Sequence, residues 1–237
     1  MRPVAQLASA RSRRPPRKSL SRERFERIYN TIRDRICLLD YPPYARLAEE
    51  EFAQEFGVSR TPIRSVLSRL EAEGLLQSRH GVGTFVTDVD IEALAQVFQL
   101  RMELAVLLGK LDPLPRTPAD VARVRALVAR CDALAEAPDP RAFARLNMDF
   151  FQELSAMTGN QPLREISERL YYQTTRIWLR SVPRLNLRDE IVVFRREMAD
   201  ILAAMEVGDL EAIGYIRRSH ISMSFNRMRL YPGQKPL

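Results

Sequence analysis

Cysteine and histidine are both scarce in this chain, and each scarcity excludes a class of protein. Two cysteines in 237 residues, Cys37 and Cys131, cannot make the disulfide framework of a small secreted scaffold. No apolar run approaches the roughly 18 residues that span a bilayer, which argues against a membrane protein. The two histidines, His80 and His220, are far apart in sequence, so a Ser-His-Asp or Cys-His pair has little to be built from. The phosphate-binding loop G-x-x-x-x-G-K-[ST], the dinucleotide fingerprint G-x-G-x-x-G and the hydrolase elbow G-x-S-x-G are missing as well. These absences predict a chain that is not an enzyme and carries no cofactor.

What is present has globular proportions, 46% hydrophobic and 28% charged. The formal net charge is +7 and it is unevenly placed. Residues 1–22 carry Arg2, Arg11, Arg13, Arg14, Arg17, Lys18 and Arg22 without one acid, and the rest of the chain is close to neutral. Pro3, Pro15 and Pro16 fall in the same segment and no helical stripe runs through it, so residues 1–21 read as a disordered basic arm able to touch phosphates. An acid-free, Arg-rich segment also fits an organelle transit peptide, but the amphipathic helix of such a peptide is not set up here. Residues 231–237 read as a short tail.

Order begins near Arg22. Phe25, Ile28, Tyr29, Ile32, Ile36 and Leu39 recur at steps of three and four, one apolar stripe of a helix that Pro42 and Pro43 would end. A second, shorter helix fits Leu47 to Phe56, followed by a break at Gly57-Val58. A third starts with Ser59 as N-cap, carries Pro62 in its first turn and closes at Gly74. On this third helix Ile63, Val66, Leu67 and Leu70 share one face, while Thr61, Ser65 and Ser68 lie opposite with Arg60 and Arg64 beside them. Two short runs, Leu75–Arg79 and Thr84–Thr87, flank a glycine-containing turn and read as a hairpin. Helix, helix, turn, helix and hairpin over residues 22–88 is the order of a winged helix-turn-helix, whose last helix can enter a DNA major groove. This segment's slight net negative charge is unusual for such a module. The acids cluster on the second helix, at Glu49, Glu50, Glu51 and Glu55, whereas Arg60, Arg64, Arg69 and Arg79 follow the turn, and local charge governs phosphate contact.

Residues 45–86 resemble the DNA-binding domain of the GntR family of bacterial transcription regulators. The stretch Ser59-Arg60-Thr61-Pro62-Ile63-Arg64, followed by Leu70-Glu71 and Glu73-Gly74-Leu75, carries the resemblance. It implies a dimer on double-stranded operator DNA with a short palindrome, and a cytoplasmic, nucleoid-associated protein. Arg60, Thr61 and Arg64 would reach bases and phosphates, Ser65 and Arg69 would extend that face, and His80-Gly81 at the wing tip would approach the minor groove. Glu50 departs from the pattern, since some members place there an arginine that touches DNA.

From Asp90 the sequence is helical throughout, in six amphipathic segments: Ile91–Leu111, Pro118–Glu136, Pro140–Thr158, Gln161–Ser181, Arg188–Val207 and Asp209–Arg229. The expected fold is mainly α, an N-terminal winged helix-turn-helix plus a C-terminal six-helix antiparallel bundle over residues 89–230. Leu100-Arg101, Glu103, Thr158-Gly159-Asn160, Gly208-Asp209 and His220-Ile221 resemble the FCD-type effector domain of the FadR-like subfamily, in its shorter, VanR-like branch. That resemblance implies a small-acid effector, commonly held through a metal on one Asp and three His. Here those positions hold Asn147, Phe151, Met198 and His220, a poor donor set for Zn²⁺ or Mn²⁺, so no metal is expected. Arg101, Asn147, Phe151, Met198 and His220 would line a more apolar pocket for an organic acid, aromatic or acyl compound, with Arg176 and Trp178 as further candidates. The competing reading is a DNA-binding architectural or anti-activator module whose helical half is only a dimerisation scaffold. A repressor is the default expectation for a ligand-controlled member.

Overall fold

Phe25, Ile28, Tyr29, Ile32 and Ile36 line one side of α1 (Arg17–Cys37), and all but Phe25 are fully buried. Each buried isoleucine contributes about 1.5–3 kcal/mol by leaving water. The helix stops before the prolines expected to end it. Leu39 turns left-handed (φ 60°), its N–H donates to Ile36 O and the Asp40 N–H donates to Arg35 O, closing the helix as a Schellman motif. Leu38, not Leu39, is therefore the buried residue. The structure is a computed structural model that describes residues 17–181 and 186–230. Residues 17–21 of the expected arm are helical in it, whereas residues 1–16 and 231–237 lie outside the described residues.

A two-residue strand that the sequence did not announce, β1 (Arg46–Leu47), precedes α2 (Glu49–Phe56) and moves that helix's start two residues on. After the left-handed Gly57 comes α3 (Arg60–Ala72), then β2 (Leu76–Arg79) and β3 (Gly83–Val86). The strands form an antiparallel sheet in the order β1-β3-β2, with Arg46 opposite Phe85 and Leu76 opposite Val86. Ser59 occupies the N-cap position of α3 but its side chain makes no capping hydrogen bond. The N3 residue is Pro62, which has no N–H to donate to it. Gly74 closes α3 at φ 83°, as its sequence position implied.

Six further helices follow: α4 (Ala95–Leu107), α5 (Pro118–Glu136), α6 (Pro140–Ser155), α7 (Gln161–Ser181), α8 (Leu187–Val207) and α9 (Leu210–Leu230). Thr117 and Asp120 form a reciprocal capping box on α5, Asp139 caps α6 and Asp209 accepts from Ala212 N–H at the start of α9. Helix α4 is shorter than Ile91–Leu111, because Asp90 accepts from Ala93 N–H and holds residues 91–94 in a separate turn. Helices α4 and α9 run antiparallel and touch almost backbone to backbone. A Cβ on Gly214 would stand 2.9 Å from Ala105 O, and one on Gly109 would collide with Leu210 O. That approach sets Arg101 of α4 against Arg217 and His220 of α9. The head does not have a core of its own: Ala144, Met148, Phe151, Tyr171 and Tyr172 from α6 and α7 pack into the same cluster as Ile32, Leu70 and Val86.

Candidate functional site

Two places on the molecule gather chemistry, the outer face of α3 and a cavity inside the helical bundle. On α3 the buried stripe Ile63, Val66, Leu67 and Leu70 anchors the helix, which leaves Arg60, Thr61, Arg64 and Ser65 exposed on the far side. The two arginines are held by acids of α2. Arg60 lies 2.5 Å from a Glu50 oxygen, and Arg64 donates from Nε and Nη2 to both oxygens of Glu49 at 2.9 Å each. That two-pronged bond holds the Glu49 carboxyl below its ordinary range, so it is ionised at neutral pH. Ser65 donates to Thr61 O at 3.2 Å within the helix. His80 and Gly81 sit exposed in the wing turn, with Gly81 left-handed at φ 71°. Glu71 of α3 accepts from the Ser78 N–H (2.6 Å) and hydroxyl (2.8 Å), which fixes the wing to the helix.

Arg69 does not belong with that set. Its guanidinium lies 3.8 Å over the Tyr29 ring and bonds Glu26 and Glu73, so it ties α3 back to α1.

The cavity, about 90 Å³, lies between α4, α6, α7, α8 and α9. Three of the five expected pocket residues meet there: Arg101, Asn147 and His220. The other two do not. Phe151 sits one turn beyond Asn147 and stacks on Tyr171 at 3.7 Å, inside the cluster shared with the head. Met198 follows Glu197, and the 100° turn between them buries it completely in the bundle core. Trp178 lines the cavity; Arg176 faces the other way. The residues missed from sequence are the charged partners. Glu197 accepts from Arg217 at 2.5 Å, with both side chains buried, and Glu190 takes Arg227 in a fork at 2.7 and 2.9 Å. Their signal was available as spacing: Glu190 and Glu197 are seven apart on α8, and Arg217, His220 and Arg227 recur at three and seven on α9. Burial, against the pull of Glu197, holds the His220 imidazole below its ordinary range.

The donors do not fit a divalent metal. His220 Nδ1 is 3.8 Å from one Glu197 oxygen while the other oxygen already serves Arg217, and Asn147 is neutral. Arg101 and Arg217 bring positive charge to the same cavity. Among the described residues no three His, Cys, Asp or Glu side chains gather as a metal site. Asp149 and Glu153, the spare carboxylates nearest in sequence, pair outward with Arg130 and Arg123.

Helix α7 links the cavity to the end of α3 and the exit of the wing. Tyr171, Thr174 and Trp178 face the cavity, while Gln173 donates to Glu73 O at the end of α3 (2.8 Å). Buried Arg176 donates to Thr87 O (2.7 Å) and Thr87 Oγ1 (2.9 Å), and the Thr87 hydroxyl donates in turn to Gly74 O. Arg180 holds Asp88 and Val89 O.

The profile described as "Bacterial regulatory proteins, gntR family" matches residues 24–86, and that of the FCD domain matches residues 96–223. A curated relative from Streptomyces ambofaciens, an HTH-type transcriptional regulator in an unstable DNA locus, is 30% identical over 88% of this chain and 86% of its own. The chain belongs to the GntR family. It is a DNA-binding transcription regulator with an FCD domain, and not an enzyme. A second relative, from Paenarthrobacter nicotinovorans, is named "Probable D-xylose utilization operon transcriptional repressor" and is 27% identical over 76% of this chain and 78% of its own. Among solved structures, E. coli McbR/YncC has the same fold, with a TM-score of 0.74 at 21% identity over 89% of this chain and 99% of that one. Among the described residues no helix is long and apolar enough to cross a membrane.

Proposed function

We propose that this GntR-family regulator works as a homodimer on a short palindromic operator and that a small molecule in the bundle cavity sets its DNA affinity. The observation that carries the reading is α7, which forms one wall of the cavity and bonds the end of α3 through Gln173 and the wing's exit through Arg176. Arg60, Thr61, Arg64 and Ser65 enter the major groove, the arginines exchanging Glu50 and Glu49 for phosphates and base edges. His80 and Gly81 reach the adjacent minor groove. Repression is the default sign, supported by the repressor name of the Paenarthrobacter nicotinovorans relative.

The test is selection of fragments from genomic DNA by the purified full chain, followed by titration. A recovered palindrome bound at two chains per site, released when a ligand is added, supports the reading. Arg176→Met should leave operator binding in place and abolish release, because the cavity wall then no longer holds Thr87. Sequence-independent binding that no ligand alters would favour the architectural module instead.

A further inference from the structure

Four arginines of the head, Arg35, Arg60, Arg64 and Arg69, each meet a glutamate. Arg46 and Arg79 differ: both are exposed, and among the described residues neither is paired with an acid. The strand register brings them together. Arg46 of β1 stands opposite Phe85 of β3, and Arg79 of β2 stands opposite Gly83. Opposed residues, and residues two apart on one strand, share a face. Arg46, Gln77, Arg79, Gly83 and Phe85 therefore make the outer face of the sheet, while Leu47, Leu76 and Val86 are buried beneath it. Both arginines lean diagonally over β3. Arg46 Nε lies 2.9 Å from the point a Cβ on Gly83 would occupy, and the Arg79 guanidinium carbon is 5.1 Å from the centre of the Phe85 ring. Gly83 thus leaves the room that one guanidinium fills. Asp88, two residues beyond the end of β3, is already taken by Tyr44 and Arg180. Two cations drawn over one strand repel each other, and no carboxylate on this face offsets them.

We infer that the outer face of the wing sheet is a phosphate-gripping surface, on which Arg46 and Arg79 hold the sugar-phosphate backbone of duplex DNA beside the wing tip. The inference goes beyond the contacts of α3 and of His80-Gly81, and it needs neither the palindrome, the dimer nor the ligand. Charge complementarity selects the partner. A DNA duplex presents a negative charge about every 1.7 Å along its axis, and an open face with two uncompensated guanidiniums meets such a row without an enclosed pocket. A guanidinium also matches the oxygens of a phosphate by two parallel bonds. Position supports the same partner, since Arg79 directly precedes His80 in the wing turn and Arg46 reaches to Gly83 at the other side of that turn. Both side chains lie along the sheet rather than projecting from the tip. They therefore meet backbone and not base edges, which fixes the wing on DNA without reading sequence. Arg46 is visible in this role only from the structure, because β1 exists by its pairing with β3.

The experiment titrates the full chain against a random-sequence DNA duplex at a series of salt concentrations and reads the slope of log K against log[salt]. Arg46→Gln and Arg79→Gln should each make the slope shallower by about 0.9, and the double variant by roughly twice that. Arg196→Gln, which removes an exposed cation from α8, should leave it unchanged. Arg46→Lys should keep most of the slope, because a phosphate is held by charge, whereas a side chain that merely shapes the sheet would not be rescued so. All the variants should melt within a degree or two of the parent chain. On an operator recovered by selection, affinity should fall in the same proportion as on the random duplex, so the preference for the operator stays within about twofold. Slopes unaltered in both single variants overturn the inference, as does a loss of affinity at constant slope or a Lys variant no better than Gln. A preference for the operator that collapses in Arg46→Gln or Arg79→Gln would assign these side chains to base edges and overturn the backbone grip. Because the random duplex contains no palindrome, failure of the operator reading leaves these outcomes intact.

Discussion

Arg64 on α3 and Arg217 on α9 each meet one glutamate, and there the likeness ends. The Arg64–Glu49 side chains are 68% and 31% exposed, whereas those of Arg217 and Glu197 are 8% and 6% exposed. In water a displaced partner is replaced by solvent, so the first pair adds little to stability and is readily exchanged for another partner. Inside the bundle nothing replaces a lost partner, so the second pair is fixed and its geometry defines the cavity. One residue type therefore makes an exposed, exchangeable pair in the head and permanent architecture in the bundle.

The largest effect should come from breaking the buried pair. Arg217→Met strands the Glu197 carboxylate and should lower unfolding stability by about 3–5 kcal/mol in a denaturant titration. The double variant Glu197→Gln/Arg217→Met should regain most of that loss, since neither charge is then left alone. Arg64→Ala, whose side chain is surrounded by solvent, should leave stability nearly unchanged in the same titration. If the two single variants are equally stable, burial is not what distinguishes the pairs. Next in size, Arg64→Ala should weaken operator binding by about 1–3 kcal/mol in a gel-shift titration with the fold intact by circular dichroism. Unchanged affinity would show that the exposed pair is mere surface.

The head was the more legible half because its signals are local. Ser59, Pro62 and Gly74 bracket α3, and its faces separate on a simple helical wheel. The bundle's helix starts were equally plain at Thr117-Pro118 and Asp139-Pro140. Strand β1 escaped because two residues show no alternation, and it exists only by pairing with β3. The cavity was half legible. Counting along α6 and α9 found Asn147 and His220, but one turn further on Phe151 stacks on Tyr171 and joins the cluster shared with the head, a contact made across the bundle that spacing along α6 does not show. Glu197 and Met198 differ by a single step, and only packing decides which of them turns inward to the cavity. The part of Arg176 was invisible, because its partner Thr87 is 89 residues away.

A third and smaller effect probes the neutral member of the buried set. His220 is held below its usual 6.5 chiefly by burial, with Arg217 and Arg227 adding to that and Glu197 and Asp200 opposing it. A depressed histidine means that the unfolded chain takes up a proton the folded chain resists. Its contribution is therefore fully present above about pH 6.5 and fades as pH falls from there through the folded value. The melting temperature should decline on the acid side of neutrality, and His220→Gln should flatten that decline between pH 7 and 5. An equally steep profile in the variant would assign the acid sensitivity to the surface carboxylates.

The smallest effect tests the exchange on the head directly. Glu49 occupies both oxygens of its carboxylate with Arg64, so a DNA phosphate must displace it before Arg64 can bind. Glu49→Gln keeps the size and an acceptor oxygen but removes the charge, which should raise operator affinity by up to about 1 kcal/mol, or roughly fivefold. The same change removes an acid from the first turn of α2, where it favours the helix dipole, and should lower stability by a few tenths of a kcal/mol. The two shifts run in opposite directions, more DNA binding with slightly less stability, and that signature separates a displaceable partner from a structural one. A fall in both would mean that Glu49 holds Arg64 in its binding pose, and that the exposed pair is architecture just as the buried one is.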